Sequence, residues 1–338
     1  MIPQNSKSLA FWRLPQTSEI NLCAEVDGLV KSGFKVAPFN TEKHPEFLIH
    51  SDFQELYTYS DFQSIDFNSL NFHIKNSAPG TYADADEYIG IVQKAIEQIQ
   101  SQNLSKVVTS RRSMASTLNP DEIRNSFLSL CEKYPDAFVF CFSHPFSGTW
   151  MGASPEILIQ SAGGTHKSMS LAGTLPVDSS NSWSAKEIEE QSLVTEFLLS
   201  KLKAMVANDI ALTGPFDKNA GRIKHLCTVI KFNSSLHPTE IARIFHPTPA
   251  IAGIPVSQAL DVIAKIEGYD REYYTGYCGP SDLNHSTDFF VNLRSIQICS
   301  ENCIVYSGGG ILKSSNPESE WLETVRKSET VLGAIEKM

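Results

Sequence analysis

Three consecutive glycines, Gly308, Gly309 and Gly310, stand between a short apolar run and the start of a helix in the stretch 306–327. Glycine lets backbone N–H groups approach a ligand closely, because it carries no side chain. Asn316-Pro317 predicts the helix start, since proline is favoured at the first helical position. A corner of this kind between a strand and a helix could hold an anion. The glycine spacing, however, matches neither a phosphate-binding loop nor a dinucleotide-binding fingerprint.

Acidic side chains on two predicted helices form the second group that could do chemistry. Glu320, Glu323 and Lys327 fall on one face of the helix after the glycines, at spacings of three and four residues. Each acid could also have only a structural role, because an exposed ion pair on a helix has the same spacing and acids are favoured at a helix N-terminus. The other helix carries three acids in its first turns, which are Glu187, Glu189 and Glu190.

The periodicity of apolar residues predicts the elements that must position these groups. Apolar residues recur at helical spacing over 84–102, whereas 106–111 alternates and is rich in β-branched residues, which predicts a strand. Asn119-Pro120 begins another helix, which ends near Tyr134. The other predicted helices are 185–206 and 256–267, and the other predicted strands are 137–142, 149–153, 157–160, 167–172, 225–232, 273–278, 288–299 and 303–306.

Runs of neighbouring strands joined by short turns imply antiparallel pairing, so the chain is predicted to have an α+β fold. The first eighty residues contain short aromatic runs broken by polar residues, which we expect to form edge strands and loops. No linker divides the chain and no repeat is visible. Residues 1–338 are therefore predicted to form a single domain with a variable N-terminal part, 1–80.

The overall composition excludes several classes of protein. The net charge of −10 and pI near 5.4, without a basic patch, argue against a nucleic-acid or acidic-membrane partner. Seven cysteines, an odd number without a C-x-x-C pair, indicate reduced thiols and a cytoplasmic protein. No run of eighteen apolar residues and no apolar N-terminal signal is present, so we expect neither a membrane span nor secretion.

Ten segments in a fixed order give the sequence a family resemblance. Between about residues 88 and 332 it resembles the chorismate-using enzymes, which include isochorismate, salicylate, anthranilate and aminodeoxychorismate synthases. The matching segments are SKVVTSRR, GTWMGASPEIL, SLAGTLP, KEIEEQSLV, IKHLCTVI, HPTPAIAGIP, REYYTGYCG, FFVNLRSI, YSGGGIL and PESEWLETVRK.

The resemblance implies two large antiparallel β-sheets packed together with helices outside, and a chorismate pocket between them. It also implies Mg²⁺, a hard cation that a small number of protein ligands can hold, so that coordination positions remain open for substrate and water. By motif position the metal-binding carboxylates would be Glu190 and Glu323. The nearby acids Glu187 and Glu320 are not expected to be direct ligands.

The family's substrate-binding residues also carry over by motif position. Arg294 would form a bidentate fork to the enolpyruvyl carboxylate, a geometry that lysine cannot copy, assisted by the Tyr274 hydroxyl. His225 would lie beside the ring, although an ordinary structural histidine is an equal alternative. The remaining substrate-binding residues would be Gly173 and Thr174 at the ring, with the N–H groups of Gly308 and Gly309 and the ammonium of Lys327 at a second anionic group.

The nucleophile distinguishes the family's branches. Members that use water have a lysine where this chain has Lys106, whereas ammonia-using members commonly have glutamine. A desolvated lysine can act as a general base, which glutamine cannot. Glu156 matches the general acid. The expected reaction is attack of water at C2 of chorismate, with loss of the C4 hydroxyl.

Isochorismate synthase, an isomerase for menaquinone or siderophore synthesis, is therefore the predicted function. Ala172 stands where aminodeoxychorismate synthases often have lysine. Salicylate synthases share the lysine of Lys106 and remain an alternative, although they are usually longer. A non-catalytic chorismate-binding protein is a further alternative, but it would need neither an acid nor a base. We expect a monomer without a glutaminase subunit. Glu272 departs from the family, which commonly has glycine there.

Overall fold

The computed structural model of the protein describes residues 2–77, 82–180, 182–221 and 223–335. Parts of the predicted N-terminal region, residues 1 and 78–80, thus lie outside the described residues. In chain order the strands are β1 (Ser8–Arg13), β2 (Ile20–Glu25), β3 (Gly33–Ala37), β4 (Phe47–His50), β5 (Phe53–Tyr57), β6 (Lys106–Ser116), β7 (Phe138–His144), β8 (Gly148–Ser154), β9 (Ile157–Ala162), β10 (Thr165–Pro176), β11 (Asn208–Ala220), β12 (Ile223–Asn233), β13 (Gly253–Ile254), β14 (Tyr277–Ser281), β15 (Ser286–Val291), β16 (Ser295–Ile298) and β17 (Asn302–Ile311). The helices are α1 (Tyr59–Gln63), α2 (Ala85–Ser101), α3 (Pro120–Lys133), α4 (Ala185–Ala204), α5 (Pro238–Phe245), α6 (Val256–Ile266) and α7 (Pro317–Ile335), with a 3-10 helix at Phe67–Ser69.

The strands form two large antiparallel sheets. The nine-stranded sheet has the order β13-β6-β17-β16-β8-β7-β1-β2-β5, and the eight-stranded sheet has the order β11-β12-β10-β9-β15-β14-β3-β4. An aromatic core joins them, in which Phe138 of β7 stacks on Phe290 of β15 with ring centroids 4.2 Å apart. The predicted α+β fold with two packed sheets is thus confirmed.

Helices cover the sheets from outside, as predicted. Buried residues of α3 and α7, such as Phe127 and Val331, pack on the nine-stranded sheet, while Leu198 of α4 and Ile241 of α5 pack on the eight-stranded one. Helices α2 and α6 share a cluster with Val107 of β6. No helix among the described residues is both long and apolar enough to span a bilayer.

Local sequence signals explain where the best-predicted helices begin. Asp84 and Glu87 form a capping box at the start of α2, and Asn119 and Glu122 form one at the start of α3, with Pro120 in its first turn. Helix α7 begins at Pro317, as the Asn316-Pro317 pair predicts. These signals involve neighbouring residues, so they can be recognised without the tertiary fold.

The three glycines lie differently from the prediction. They are inside β17 rather than at a corner after it, and they pair with Ser110, Thr109 and Val108 of β6. The strand continues through them to Ile311, and the turn to α7 follows. The reason is that β6 runs antiparallel beside all three glycines, so they continue the strand pairing and need not leave the sheet.

The predicted strand 288–299 is two strands in different sheets. Strand β15 belongs to the eight-stranded sheet and β16 to the nine-stranded one. The chain crosses between the sheets through residues 292–294, where Arg294 has a left-handed backbone with φ of 50°. In the crossing, Leu293 stands between the polar residues Asn292 and Arg294. Such alternation is also typical of a strand, so the pattern of residue types does not mark the crossing. The break nevertheless places Arg294 between the sheets.

Other elements also differ from the predictions. The connection after α4 contains β11, an exposed edge strand, and α5 was not predicted. The predicted strand 273–278 becomes regular only at Tyr277, after a turn. Strands β1 and β2 lie inside the nine-stranded sheet rather than at an edge. Every residue of β1 is buried, so it lacks the alternation by which a strand with one exposed face is recognised.

Candidate active site

A pocket between the two sheets collects eleven of the twelve predicted site residues. It encloses about 650 Å³ of space, including its open mouth. Strand ends of both sheets and helices α4 and α7 supply its walls. The eleven lining residues are Glu156, Gly173, Thr174, Glu190, His225, Tyr274, Arg294, Gly308, Gly309, Glu323 and Lys327. The twelfth, Lys106, lies directly behind Glu190.

Lys106 begins β6, and its side chain is completely buried. Its Nζ lies 2.9 Å from Oε1 of Glu190, which projects from the second turn of α4. Gly310 of β17 leaves the room for this pair. A Cβ added at Gly310 would lie 2.1 Å from Glu190 Oε1 and 2.7 Å from Lys106 Cε. A side chain at position 310 is therefore incompatible with the Lys106–Glu190 ion pair.

Glu156 lies between β8 and β9 and is only 4% exposed. Burial raises the pKa of Glu156 to about 8, although the positive charges of Lys106, Lys327 and Arg294 oppose the rise. At neutral pH most of this carboxyl therefore keeps its proton. Glu156 can donate a proton to a ligand in the pocket, as a general acid must.

Glu323 lies on α7 beside the glycine strand. Its Oε1 is 2.5 Å from Lys327 Nζ and accepts a hydrogen bond of 3.0 Å from the Thr174 hydroxyl. Burial opposes ionisation, but Lys327 holds the pKa of Glu323 well below its usual value. Lys327 also donates to the carbonyl of Gly308, at 2.9 Å. The predicted role of the glycine N–H groups towards an anion stays a prediction.

The two neighbouring acids have other partners. Glu320, 1% exposed, accepts hydrogen bonds from Lys186 Nζ of α4 at 2.6 Å and from Ser315 Oγ at 2.7 Å. Glu187 accepts a hydrogen bond from the backbone N–H of Ser184 at the start of α4. Each of these acids thus has a protein partner, and the expectation that neither is a direct metal ligand stays a prediction.

Arg294 and His225 form a hydrogen-bonded pair on the opposite wall. The carbonyl of Gly173 lies 2.7 Å from His225 Nδ1, and Arg294 Nη2 lies 3.1 Å from His225 Nε2. A carbonyl only accepts, so Nδ1 carries the proton and Nε2 accepts from Arg294. Burial and the charge of Arg294 lower the pKa of His225 to about 3. His225 is therefore neutral and orients the guanidinium.

Tyr274 lies in the turn before β14, with its ring stacked on Tyr306 at 5.0 Å between centroids. Burial raises its pKa to about 12, so the hydroxyl keeps its proton and can donate to a carboxylate. Thr275 follows with a left-handed φ of 61°. Left-handed backbone at both Thr275 and Arg294 is strained, and such strain is common where a site fixes side-chain direction.

Glu190 and Glu323 fit a hard divalent cation. Both present carboxylate oxygens to the same pocket from different helices, and the absence of a Cβ at Gly310 lets Glu190 Oε1 lie directly against β17. No group of three or more His, Cys, Asp or Glu side chains is placed to hold a metal within the part of the chain that the structure describes. A cation here would thus have two protein carboxylates and would complete its shell with water and ligand, as Mg²⁺ commonly does.

Several pocket residues were not among the predicted site residues. Gly310, Ser307, Thr275, Ala250 and Ile251 all line the pocket. Gly310 was named with the other two glycines, and the triple glycine could have identified it as a site residue, because a strand interior disfavours glycine unless another group approaches closely. Ala250 and Ile251 lie in HPTPAIAGIP, one of the ten matching segments, but no residue type marks them as pocket residues.

Comparison with known proteins agrees with this geometry. A family model described as "Chorismate binding enzyme" matches residues 39–336. The isochorismate synthase MenF of Bacillus subtilis is 28% identical over 271 residues, which cover 75% of this chain and 56% of that protein. The chain thus spans little more than half the length of this relative.

Two solved structures share the fold. One is that of a putative 2,3-dihydroxybenzoate-specific isochorismate synthase, DhbC, from Bacillus anthracis, with a TM-score of 0.79 and 24% identity over 99% of this chain and 97% of that one. The other is MenF, the menaquinone-specific isochorismate synthase from Escherichia coli, with a TM-score of 0.80 and 18% identity over 98% and 89% of the two chains.

Proposed function

Because the chain belongs to the family of chorismate-binding enzymes, we propose that it is an isochorismate synthase. The reaction adds water at C2 of chorismate, shifts the ring double bond and releases the C4 hydroxyl. The relatives named above include a menaquinone-specific isochorismate synthase and a putative 2,3-dihydroxybenzoate-specific one, and we propose menaquinone or siderophore synthesis as the pathway of this chain.

The observation that carries the proposal is the placement of a lysine and a protonated acid at one site, with Glu156 in the pocket wall and Lys106 directly behind Glu190. In its neutral amine form, Lys106 can take a proton from the attacking water. Glu156, with a pKa of about 8, can give one to the departing C4 hydroxyl. The two transfers balance. The water that attacks C2 loses one proton, and the hydroxyl that leaves C4 gains one and departs as water, so substrate and product have the same composition. Each transfer could contribute about 10²–10⁴ in rate.

The other polar residues bind and orient the substrate. Arg294, held by His225, would bind the enolpyruvyl carboxylate with help from the Tyr274 hydroxyl. Lys327 and the glycine strand would bind a second anionic group, while Gly173 and Thr174 border the ring. These roles make the substrate a dicarboxylate.

Magnesium belongs to the same proposal, with Glu190 and Glu323 as the residues that would hold it. When bound, it would neutralise a substrate carboxylate and stabilise negative charge that develops in the transition state. The hard oxygen donors of these two side chains, which line one pocket from different helices, support this assignment. A cytoplasmic monomer without a glutaminase subunit is also proposed. Seven unpaired cysteines support a reducing compartment, and lysine rather than glutamine at position 106 supports water as the nucleophile.

The test is a product assay of purified protein with chorismate and Mg²⁺, with and without ammonium. We expect isochorismate in equilibrium with chorismate, abolished by a chelator and by Lys106→Ala. Salicylate with pyruvate would assign the chain to the neighbouring branch, and an aminated product would show that Lys106 does not select water. Chorismate binding without turnover would refute the enzymatic proposal.

A further inference from the structure

A second cavity adjoins the central pocket on the far side of Arg294. Arg294 and Pro155 belong to the walls of both spaces, and the second cavity holds about 720 Å³. It continues into an open surface groove of about 1230 Å³. We call the second cavity and this groove the vestibule. The residues common to both parts are Lys133, Tyr134, Ala220, Gly221, Arg294 and Thr330.

The guanidinium of Arg294 forms the partition between the two spaces. Its Nη2 bonds His225 on the pocket side, whereas its Nη1 lies 3.5 Å from the hydroxyl of Thr330 on the vestibule side. A carboxylate that arrives through the vestibule therefore meets Arg294 before it reaches the pocket. No other side chain of the vestibule also belongs to the pocket wall among the described residues, apart from Pro155.

The vestibule is more cationic than the chain as a whole. Among the residues that the structure describes, it has three cationic side chains, Lys133, Arg294 and Arg326, and two acidic ones, Asp136 and Glu329. The whole chain has 28 lysines and arginines against 38 acids. Lys133 Nζ is held at the rim by the carbonyl of Gly333, at 2.5 Å. A net negative protein repels a dianion at long range, so a local excess of cations favours approach at this place.

We infer that the vestibule is the route by which a small dicarboxylate reaches the central pocket, with Lys133 and Arg326 attracting it to Arg294. This inference rests on the proposed function, because that function supplies the dicarboxylate. It assigns a binding role to Lys133 and Arg326, which lie outside the pocket. It also places the tip of the β11–β12 hairpin at the wall of the route.

A steric plug tests the route. Ala220 lines the vestibule near the hairpin tip, where Tyr134 lies so close to Gly221 that an added Cβ would be 2.6 Å from its ring. Ala220→Phe should therefore fill the passage. Ala211→Phe is the matched control, since Ala211 is exposed on the same strand and lines neither space. We expect kcat/KM for chorismate to fall at least tenfold in A220F and to stay within twofold of wild type in A211F, with equal thermal stability.

Charge reversal tests the attraction separately. K133E and R326E should each lower kcat/KM about threefold or more at low ionic strength, and the loss should shrink in 0.5 M salt because exposed charges are screened. Lys203→Glu is the control, because this exposed lysine is thirteen residues, or about 20 Å, along α4 from Glu190. Equal kcat/KM in K133E, R326E and K203E would refute the attraction.

The two proposals fail differently. If wild type turns chorismate over and A220F matches it, the route is wrong while the proposed function stands. If wild type shows no turnover, the proposed function is wrong. The same variants are then compared by the association rate of chorismate with immobilised protein, and equal rates in A220F and A211F would refute the route as well.

Discussion

Replacing Glu156 by glutamine should make the protein more stable while nearly abolishing turnover. The carboxyl is buried and its pKa is raised from 4.5 to about 8. Between these values the folded protein holds a proton that the unfolded chain has lost, so wild-type stability falls as pH rises through this window. Glutamine has the same shape but does not titrate, and it removes this dependence.

The magnitude follows from the two pKa values. Linkage gives a cost to the wild type of about 1 kcal/mol at pH 5.5 and about 4 kcal/mol at pH 7.5. The contacts of the glutamine itself add an offset that does not change with pH. The free energy of unfolding of E156Q, minus that of wild type, should therefore rise by about 2–3 kcal/mol between these two pH values.

Urea denaturation of both proteins at several pH values measures this difference, with the exposed Glu189→Gln as control for the loss of one carboxyl. In the product assay, E156Q should lose about 10²–10⁴ in kcat. A rise of less than about 1 kcal/mol would mean that the Glu156 carboxyl is not held protonated, and its role as the acid would then lose its physical basis. Unchanged kcat would exclude that role directly.

Three other substitutions test the geometry. Gly310→Ala should lower kcat at least 100-fold, because its Cβ would overlap Glu190 and the Lys106 side chain. Gly90→Ala is the control: its Cβ would have nothing within 4 Å, so it should leave kcat unchanged and stabilise α2 by about 0.5–1 kcal/mol. Normal activity in G310A would show that the strand can move aside. Arg294→Lys should raise KM for chorismate about 10-fold or more, since a buried bidentate hydrogen bond from arginine to a carboxylate is worth about 1.5–3 kcal/mol. A KM within twofold of wild type would exclude Arg294 as the carboxylate ligand. Glu272→Gly should leave kcat/KM unchanged and change the free energy of unfolding by less than about 1 kcal/mol. Glycine relieves the strain of the left-handed backbone (φ 48°), but the hydrogen bond between Glu272 and Gln297 is lost, and the two effects offset each other. Free energies of unfolding that differ by several kcal/mol would contradict this prediction.

Local signals predicted the helices well and the strand crossings poorly. A capping box or a proline at the first turn is contained in four or five adjacent residues, so α2, α3 and α7 begin where the sequence places them. The change of sheet at Arg294 depends instead on which strands pair at a distance. Strand β11 was missed because glycine, proline and charged residues interrupt its apolar alternation, and only its pairing with β12 makes it a strand.

The site was predictable because its residues stand in motifs, not because any of them looks unusual alone. Glu190 and Glu323 have the residue type and position of ordinary helix acids, and only the fold shows that both are directed to one pocket. The tautomer of His225 and the raised pKa of Glu156 depend on burial by distant segments. Gly310 was missed because the groups that require its small size, Lys106 and Glu190, lie on other elements.

Paired charges explain how several acids can lie close together in a buried site. Each of three carboxylates has a lysine partner, and the pairs are Lys106–Glu190, Lys186–Glu320 and Lys327–Glu323. An unpaired buried charge would cost several kcal/mol, so each lysine contributes to stability whether or not it takes part in chemistry. Of these carboxylates, Glu190 and Glu323 line the pocket, whereas Glu320 is buried behind it and bound by Lys186. The fold thus leaves two carboxylates in the pocket wall, which agrees with the proposal of a magnesium ion, because Mg²⁺ is commonly held by one or two protein carboxylates and keeps positions open for water and substrate.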